Sequence, residues 1–182
     1  MALKSTIYKV DLQIANMDRN YYQQHSLTVA KHPSETDERM MVRLLAFALY
    51  ADEFLSFGKG LSADDEADLW LKDMTGAIEL WIDVGLPDER DIRKACGRAK
   101  QVVILVYGGR TADIWWNQHR GKLERLHNLT VINLTAESTQ AMAALAATRG
   151  MHLSYTVQDE QILLAADTAA LEISPVQLLR SV

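Results

Sequence analysis

Residues 77–107 read AIELWIDVGLPDERDIRKACGRAKQVVILVY, and the succession of patterns inside that stretch decides the fold class. Over 77–85, apolar side chains alternate with Glu79, Trp81 and Asp83, the period of two that marks a strand. Over 86–99 the period lengthens. Ile92, Ala95, Cys96 and Ala99 recur at helical spacing, and Pro87 stands where a first helical turn tolerates proline. Residues 102–107, VVILVY, are apolar throughout, as in a strand covered on both faces. Strands alternating with helices predict an α/β domain built on a mixed sheet.

Upstream, LSFGKG (55–60) reads as a short strand and turn, DLWL (68–71) as another strand, and Thr75-Gly76 as the turn into 77–85. HPSETDERMMVRLLAFALYADEF (32–54) reads as the first strong helix. Its start is the capping-box-like pair Ser34 and Asp37, and its buried stripe is Met40, Met41, Leu44, Leu45 and Ala48. STIYKVDLQI (5–14) and YYQQHSLTVA (21–30) form an N-terminal hairpin. Downstream, residues 111–127 make a helix capped by Thr111, 129–134 a strand and 135–148 a helix. MHLSYTVQ and QILLAAD make a C-terminal hairpin around Asp159-Glu160. The order through the middle is helix, three strands, helix, strand. With no repeat or linker, residues 1–182 form one domain.

Composition narrows the function classes. The net charge is -5 with a pI near 5.5, whereas a general nucleic-acid coat protein is basic because its affinity rests on neutralising phosphates. A local basic groove around an acidic site stays open. No apolar run approaches the roughly 20 residues of a membrane helix, so no membrane partner is expected. The first residues, MALKSTIYKVDLQ, carry no secretion signal. Cys96 is the only cysteine, which excludes an internal disulfide and fits a reducing compartment. A cytoplasmic location is expected. His25, His32, His119, His127 and His152 have no zinc spacing. Phosphate-loop, dinucleotide-binding and serine-hydrolase patterns are absent.

Chemistry concentrates on the strand at 77–85. Glu79, Trp81, Asp83 and Gly85 point one way, and Ile78, Leu80, Ile82 and Val84 point into a core. An acid in the middle of a central strand is costly unless paired, hydrated or holding a cation. Asp68 opens the preceding strand, and a meander through Thr75-Gly76 can bring it close to Asp83. Two facing carboxylates raise each other's pKa, and a divalent cation removes the repulsion. Magnesium needs only one or two of them, the rest of its shell being water and substrate phosphate. The competing reading puts Glu79 and Asp83 on the solvated face of an antiparallel sheet, and makes Asp64, Asp65, Glu66 and Asp68 a solvated acidic run.

Three further features have two readings each. Arg39 and Arg43, one helical turn apart, either neutralise phosphates or form surface ion pairs. The turn Tyr107-Gly108-Gly109-Arg110-Thr111 either holds an anion at a helix N-terminus or simply joins a strand to a helix. Trp115-Trp116 either stacks bases or packs one ring into the core.

The chain resembles the YaeQ family over essentially its whole length. The resemblance is carried by MALKSTIYK, SLTVAKHPSETDERMMVRLLAFALYADE, ADDEADLWL, IELWIDVGLPDERDIRKACGRA and the IWW of 114–116. It implies a variant of the PD-(D/E)XK nuclease fold, a restriction-endonuclease-like core in the helix, three strands, helix, strand order, with hairpins at either end. It implies no settled activity. Carried over by motif, Glu38 is the acid of the first helix, Asp68 the motif aspartate, and Asp83-Val84-Gly85 the (D/E)XK tripeptide, with glycine where lysine is usual. Lys94 on the following helix is the substitute, with Arg93 as a second candidate, although helical spacing sets Lys94 nearly opposite the apolar stripe. Pro87-Asp88 takes no motif role.

Two functions follow as expectations. The first is hydrolysis of a nucleic-acid phosphodiester with Mg2+ (or Mn2+) held by Asp68 and Asp83, with help from Glu38 and a cation from Lys94 or Arg93. The second is a catalytically degenerate module of the same fold that binds nucleic acid or a protein partner.

Overall fold

The structure is a computed structural model that describes residues 4–59, 65–146 and 148–182. Asp64 of the acidic run and Gly60 of the expected turn lie outside the described residues.

Helix α1 (Asp37–Leu49) determines the layering. Its N-cap is Thr36, whose hydroxyl accepts from the Arg39 backbone N–H, and Asp37 and Glu38 complement the dipole in the first turn. Every residue from Met40 to Ala48 is at most 3% exposed. A helix without a solvent face must be covered all round, and a sheet on either side covers this one.

One sheet has the order β10-β9-β8-β1-β2. Strands β1 (Thr6–Asn16) and β2 (Tyr21–Lys31) are the N-terminal hairpin. Strands β8 (Gly150–Gln158) and β9 (Gln161–Ala165) are the C-terminal one, extended by β10 (Ala170–Ile173). The two hairpins join through a parallel pairing of β1 with β8, Leu12 opposite Leu153. The other sheet has the order β11-β7-β6-β5-β4-β3: β3 (Leu55–Phe57), β4 (Leu69–Lys72), β5 (Ile78–Val84), β6 (Ala99–Val106), β7 (Leu129–Asn133) and β11 (Val176–Leu179). Strands β5, β6 and β7 are parallel, and the outer pairings are antiparallel. Both sheets are therefore mixed. Between them lie α1 and α4 (Ala136–Ala143). On the far face of the second sheet lie α2 (Glu89–Arg98) and α3 (Arg110–Leu123).

The parity of β6 divides the interior in two. Val103 and Leu105 join α1 and the inner face of the first sheet, while Val102, Ile104 and Val106 join Trp81, Ile92 and Trp115. All five are at most 4% exposed, the doubly covered strand that the apolar run predicts. Among the described residues no helix is long and apolar enough to cross a membrane.

Several local expectations are corrected. The first helix begins after Thr36 instead of at Ser34, whose hydroxyl bonds the His32 ring instead. Thr111 does not cap α3. Gly109 does, at φ 61 and without a side-chain bond, because positive φ lets the chain turn directly from β6 into the helix. Ala99 is the first residue of β6, not the end of the α2 stripe, and Cys96 is only half-buried. The hairpins are one sheet rather than two additions, since their pairing crosses most of the chain. Strands β10 and β11 were not expected, being four residues each.

Candidate functional site

Strands β4 and β5 are antiparallel neighbours, with Leu69 opposite Ile82. That register sets Asp68, just before β4, beside Asp83, and the two residues hold each other. The Asp68 backbone N–H donates to Asp83 Oδ1 at 3.1 Å, and the Val84 N–H donates to Asp68 Oδ2 at 2.8 Å. Each carboxylate has one further donor. Trp81 Nε1 reaches Asp83 Oδ2 at 2.9 Å, and Arg39 Nη2 reaches Asp68 Oδ1 at 2.6 Å. Every oxygen of the pair thus accepts one bond and keeps a free lone pair.

The pair faces an open cleft of about 350 Å³ between β4, β5 and α2. Its charged lining is uneven: Asp65, Glu66, Asp68, Asp83 and Asp91 against Arg39, Lys94 and Arg98. Burial, and next the charge of Asp68, push the Asp83 carboxyl up to about 6. The Trp81 and Asp68 N–H bonds and Arg39 oppose that rise. Asp83 is therefore not on a solvated face. Glu79 is partly exposed and pairs with Lys100 at 2.6 Å.

The sequence-derived candidates divide. Asp68, Asp83 and Lys94 line one cleft. Lys94 is opposite the buried side of α2 and its Nζ is 3.9 Å from Asp65 Oδ1, but the polar side of α2 is the side that borders the cleft. Arg93 points elsewhere and pairs with Glu89. Glu38 does not join the other acids. Its Oε2 accepts from Thr139 Oγ1 at 3.1 Å, tying α1 to α4. Gly85 sits at φ +100, with nothing near the position a Cβ would take. Lysine is excluded there by backbone conformation, not by lack of room.

Arg39 and Arg43 are neither phosphate ligands on a free face nor surface pairs. Arg43, 3% exposed, donates from Nε and Nη2 to Glu35 at 2.7 and 2.8 Å and from Nη2 to the Ala30 carbonyl. Arg39 spans Glu35 at 3.1 Å and Asp68. Glu35, Arg39 and Arg43 recur every four residues, so one helical face could have been suspected, but Glu35 precedes the helix. Arg98, missed in the sequence, stands one turn beyond Lys94. Its guanidinium lies 5.0 Å over the Trp81 ring and donates to the Asp65 carbonyl. The spacing of Asp91, Lys94 and Arg98 was the available signal. Trp115 faces the core and donates to the Pro87 carbonyl, and Trp116 packs beside it.

The comparisons agree with one another. The family model described as "YaeQ protein" matches residues 1–175. The chain is 49% identical over 174 residues to the uncharacterized protein YaeQ of Escherichia coli K12, covering 96% of each chain. It is also 49% identical over 173 residues to that of Salmonella typhi, covering 95% of each. The crystal structure of YaeQ protein from Xanthomonas axonopodis pv. citri superposes with a TM-score of 0.92 at 49% identity, covering 96% of this chain and 98% of that one. That of YaeQ protein from Pseudomonas syringae does so with a TM-score of 0.92 at 30% identity, covering 97% of each. The chain belongs to the YaeQ family.

Proposed function

We propose that the cleft binds a divalent cation, Mg2+ or Mn2+, against Asp68 and Asp83, and hydrolyses a phosphodiester of nucleic acid. The observation that carries this reading is the adjacent carboxylate pair at one end of a cleft whose other wall presents Lys94 and Arg98. The order α1-β3-β4-β5-α2-β6 supports it, being the order of a restriction-endonuclease-like core.

The donor set fits a hard cation. Among the described residues no three His, Cys, Asp or Glu side chains are grouped to hold an ion, so two carboxylates would be the whole protein contribution, as suffices for magnesium. Five lining acids against three bases leave negative charge for a cation to offset. Bound there, it would supply charge to polarise the phosphodiester and to activate water. The chain does the rest. Asp68 and Asp83 are fixed by backbone N–H groups, so their free lone pairs are preoriented. Lys94 and Arg98 meet phosphate charge from α2. Glu38 is given no part at the cleft and holds α4.

One observation favours a second reading. Arg39 already supplies Asp68 with a positive charge at 2.6 Å, as a catalytically degenerate module that only binds nucleic acid or a protein partner would require. Mn2+ titration followed by electron paramagnetic resonance, with cleavage assays on single- and double-stranded DNA and RNA, separates the two. The first reading expects saturable Mn2+ binding lost in Asp83→Ala, and cleavage lost in both Asp83→Ala and Lys94→Ala. Equal residual cleavage in wild type and both variants would mark a contaminant and leave the second reading.

A further inference from the structure

A second concavity, unconnected with the carboxylate cleft, lies at the seam of the two sheets. It has a volume of about 210 Å³ and is walled by the ends of β1 and β8, the C-terminus of α1, and the segment that carries β11. We infer that this cavity is a binding site for a small monocarboxylate with an apolar body, such as an aryl carboxylate.

The floor sets the apolar half of that specification. Leu49, Ile132, Val157 and Pro175 line it, and an apolar site of comparable volume accepts a single aromatic ring. The rim sets the polar half: each of its acceptor side chains already holds a bond, while two of its donors hold none or a single long one. Asp18 Oδ1 and Oδ2 are taken by the N–H groups of Asp159 and Glu160, at 2.7 and 2.8 Å. Glu160 Oε1 accepts from Arg180 Nη2 at 2.9 Å, and Gln177 Oε1 accepts from the same nitrogen. Against these stand four donor groups. Asn16 is 2% exposed, and its amide nitrogen makes only one long bond, 3.5 Å, to the Leu49 carbonyl. The Tyr50 hydroxyl meets no partner among the described residues, and burial pushes its pKa up to about 12, so it remains a donor at neutral pH. Arg19 and Arg180 add two cations.

Arg19 is committed, since its Nη1 closes the last turn of α1 on the Leu49 and Ala51 carbonyls. Arg180 is not. Its Nη2 bonds Glu160, in an ion pair two-thirds exposed on both sides, and the exposed Gln177 side chain, and such surface bonds are worth little. A ligand carboxylate can replace Glu160 on Arg180 at small cost while accepting from Tyr50 and Asn16. A neutral ligand gains no charge attraction from Arg180, and an ammonium ligand would stand against Arg19 and Arg180 with only already-bonded acceptors to meet it.

The test is a heteronuclear NMR titration of the whole chain with benzoate, with benzyl alcohol and benzylamine in parallel. Benzoate is expected to give saturable shifts at the amides of 49–51, 157 and 177–180, with none at 83–98. Benzylamine should give none. Arg180→Gln should weaken benzoate about tenfold, as for loss of one charge-assisted bond, and Tyr50→Phe should weaken it several-fold without changing the fold of the spectrum. The absence of saturable shifts, equal affinity for benzylamine, or an Arg180→Gln variant that binds as the wild type does would each overturn the site. Since the carboxylate cleft takes no part, failure here leaves the reading of Asp68 and Asp83 untouched, and the reverse also holds.

Discussion

Glu35 and Asp83 are both carboxylates removed from water, a few residues of side chain apart along one chain of contacts, and they are provided for in opposite ways. Glu35, 6% exposed, receives three N–H groups from two guanidiniums. Asp83 receives two N–H groups from an indole and a backbone amide, with no cation in contact, and its carboxyl rises to about 6. Arg39 connects the two, with one nitrogen on Glu35 and another on Asp68. A buried acid matched by cations is a structural tie. One left with neutral donors beside a second acid keeps a demand for positive charge, and that demand is what makes a site.

Breaking the matched side should have the largest effect. Glu35→Gln leaves Arg43 buried without its counter-charge and should cost about 3–5 kcal/mol, read as a lower midpoint in urea denaturation. A loss below about 1 kcal/mol would mean that Glu35 is no tie.

The unmatched side should show itself through pH. The folded Asp83 holds its proton up to about 6, against an ordinary 3.8. Between those values the folded chain binds more protons than the unfolded one. The group's contribution is therefore most favourable below the ordinary value and is lost as pH rises to about 6, by about 3 kcal/mol in all. Asp83→Asn should remove that slope from stability measured at pH 4 to 7. It should gain less than the full amount at neutral pH, because an amide turns a nitrogen toward one of the two donors it must meet. A variant with an unchanged slope would assign the proton elsewhere.

Arg39→Gln sharpens the link between the two sides. Arg39 lowers the Asp83 carboxyl, so its removal should move the Asp83 titration, followed by carboxyl carbon NMR, further up. Under the cation-binding reading it should also tighten Mn2+. The smallest effect belongs to Lys94→Ala. With its side chain 62% exposed and its nearest acid 3.9 Å away, stability should change by less than about 0.5 kcal/mol. Any larger role it has would appear in cleavage alone.

What could be read in the sequence follows from range. The strands at 77–85 and 102–107, the helix between them, both hairpins and the meander that joins Asp68 to Asp83 rest on local periodicity, and the structure has them. The pairing of β1 with β8 could not be read, because no local pattern encodes which strand edge meets which. The same gap hid the environment of Arg43. A charged residue within an apolar stripe reads as exposed until a second sheet is known to close over it. Glu38 shows another limit of range. A motif position placed it with the acids, while the approach of α4, delivered by distant sequence, gave it Thr139.

The parallel pairing of β1 with β8 also bears on how the chain is made. Synthesis from the N-terminus produces the first hairpin and α1 early, yet the strand that completes their sheet, Gly150–Gln158, arrives only after the whole second sheet except β11. Until then the inner edge of β1 offers unpaired backbone, and one flank of a largely apolar helix lacks its cover. Non-local closure of this kind makes folding slow and leaves sticky intermediates. Nascent chains halted before residue 150 are therefore expected to engage chaperones, and chains released beyond β8 to escape them.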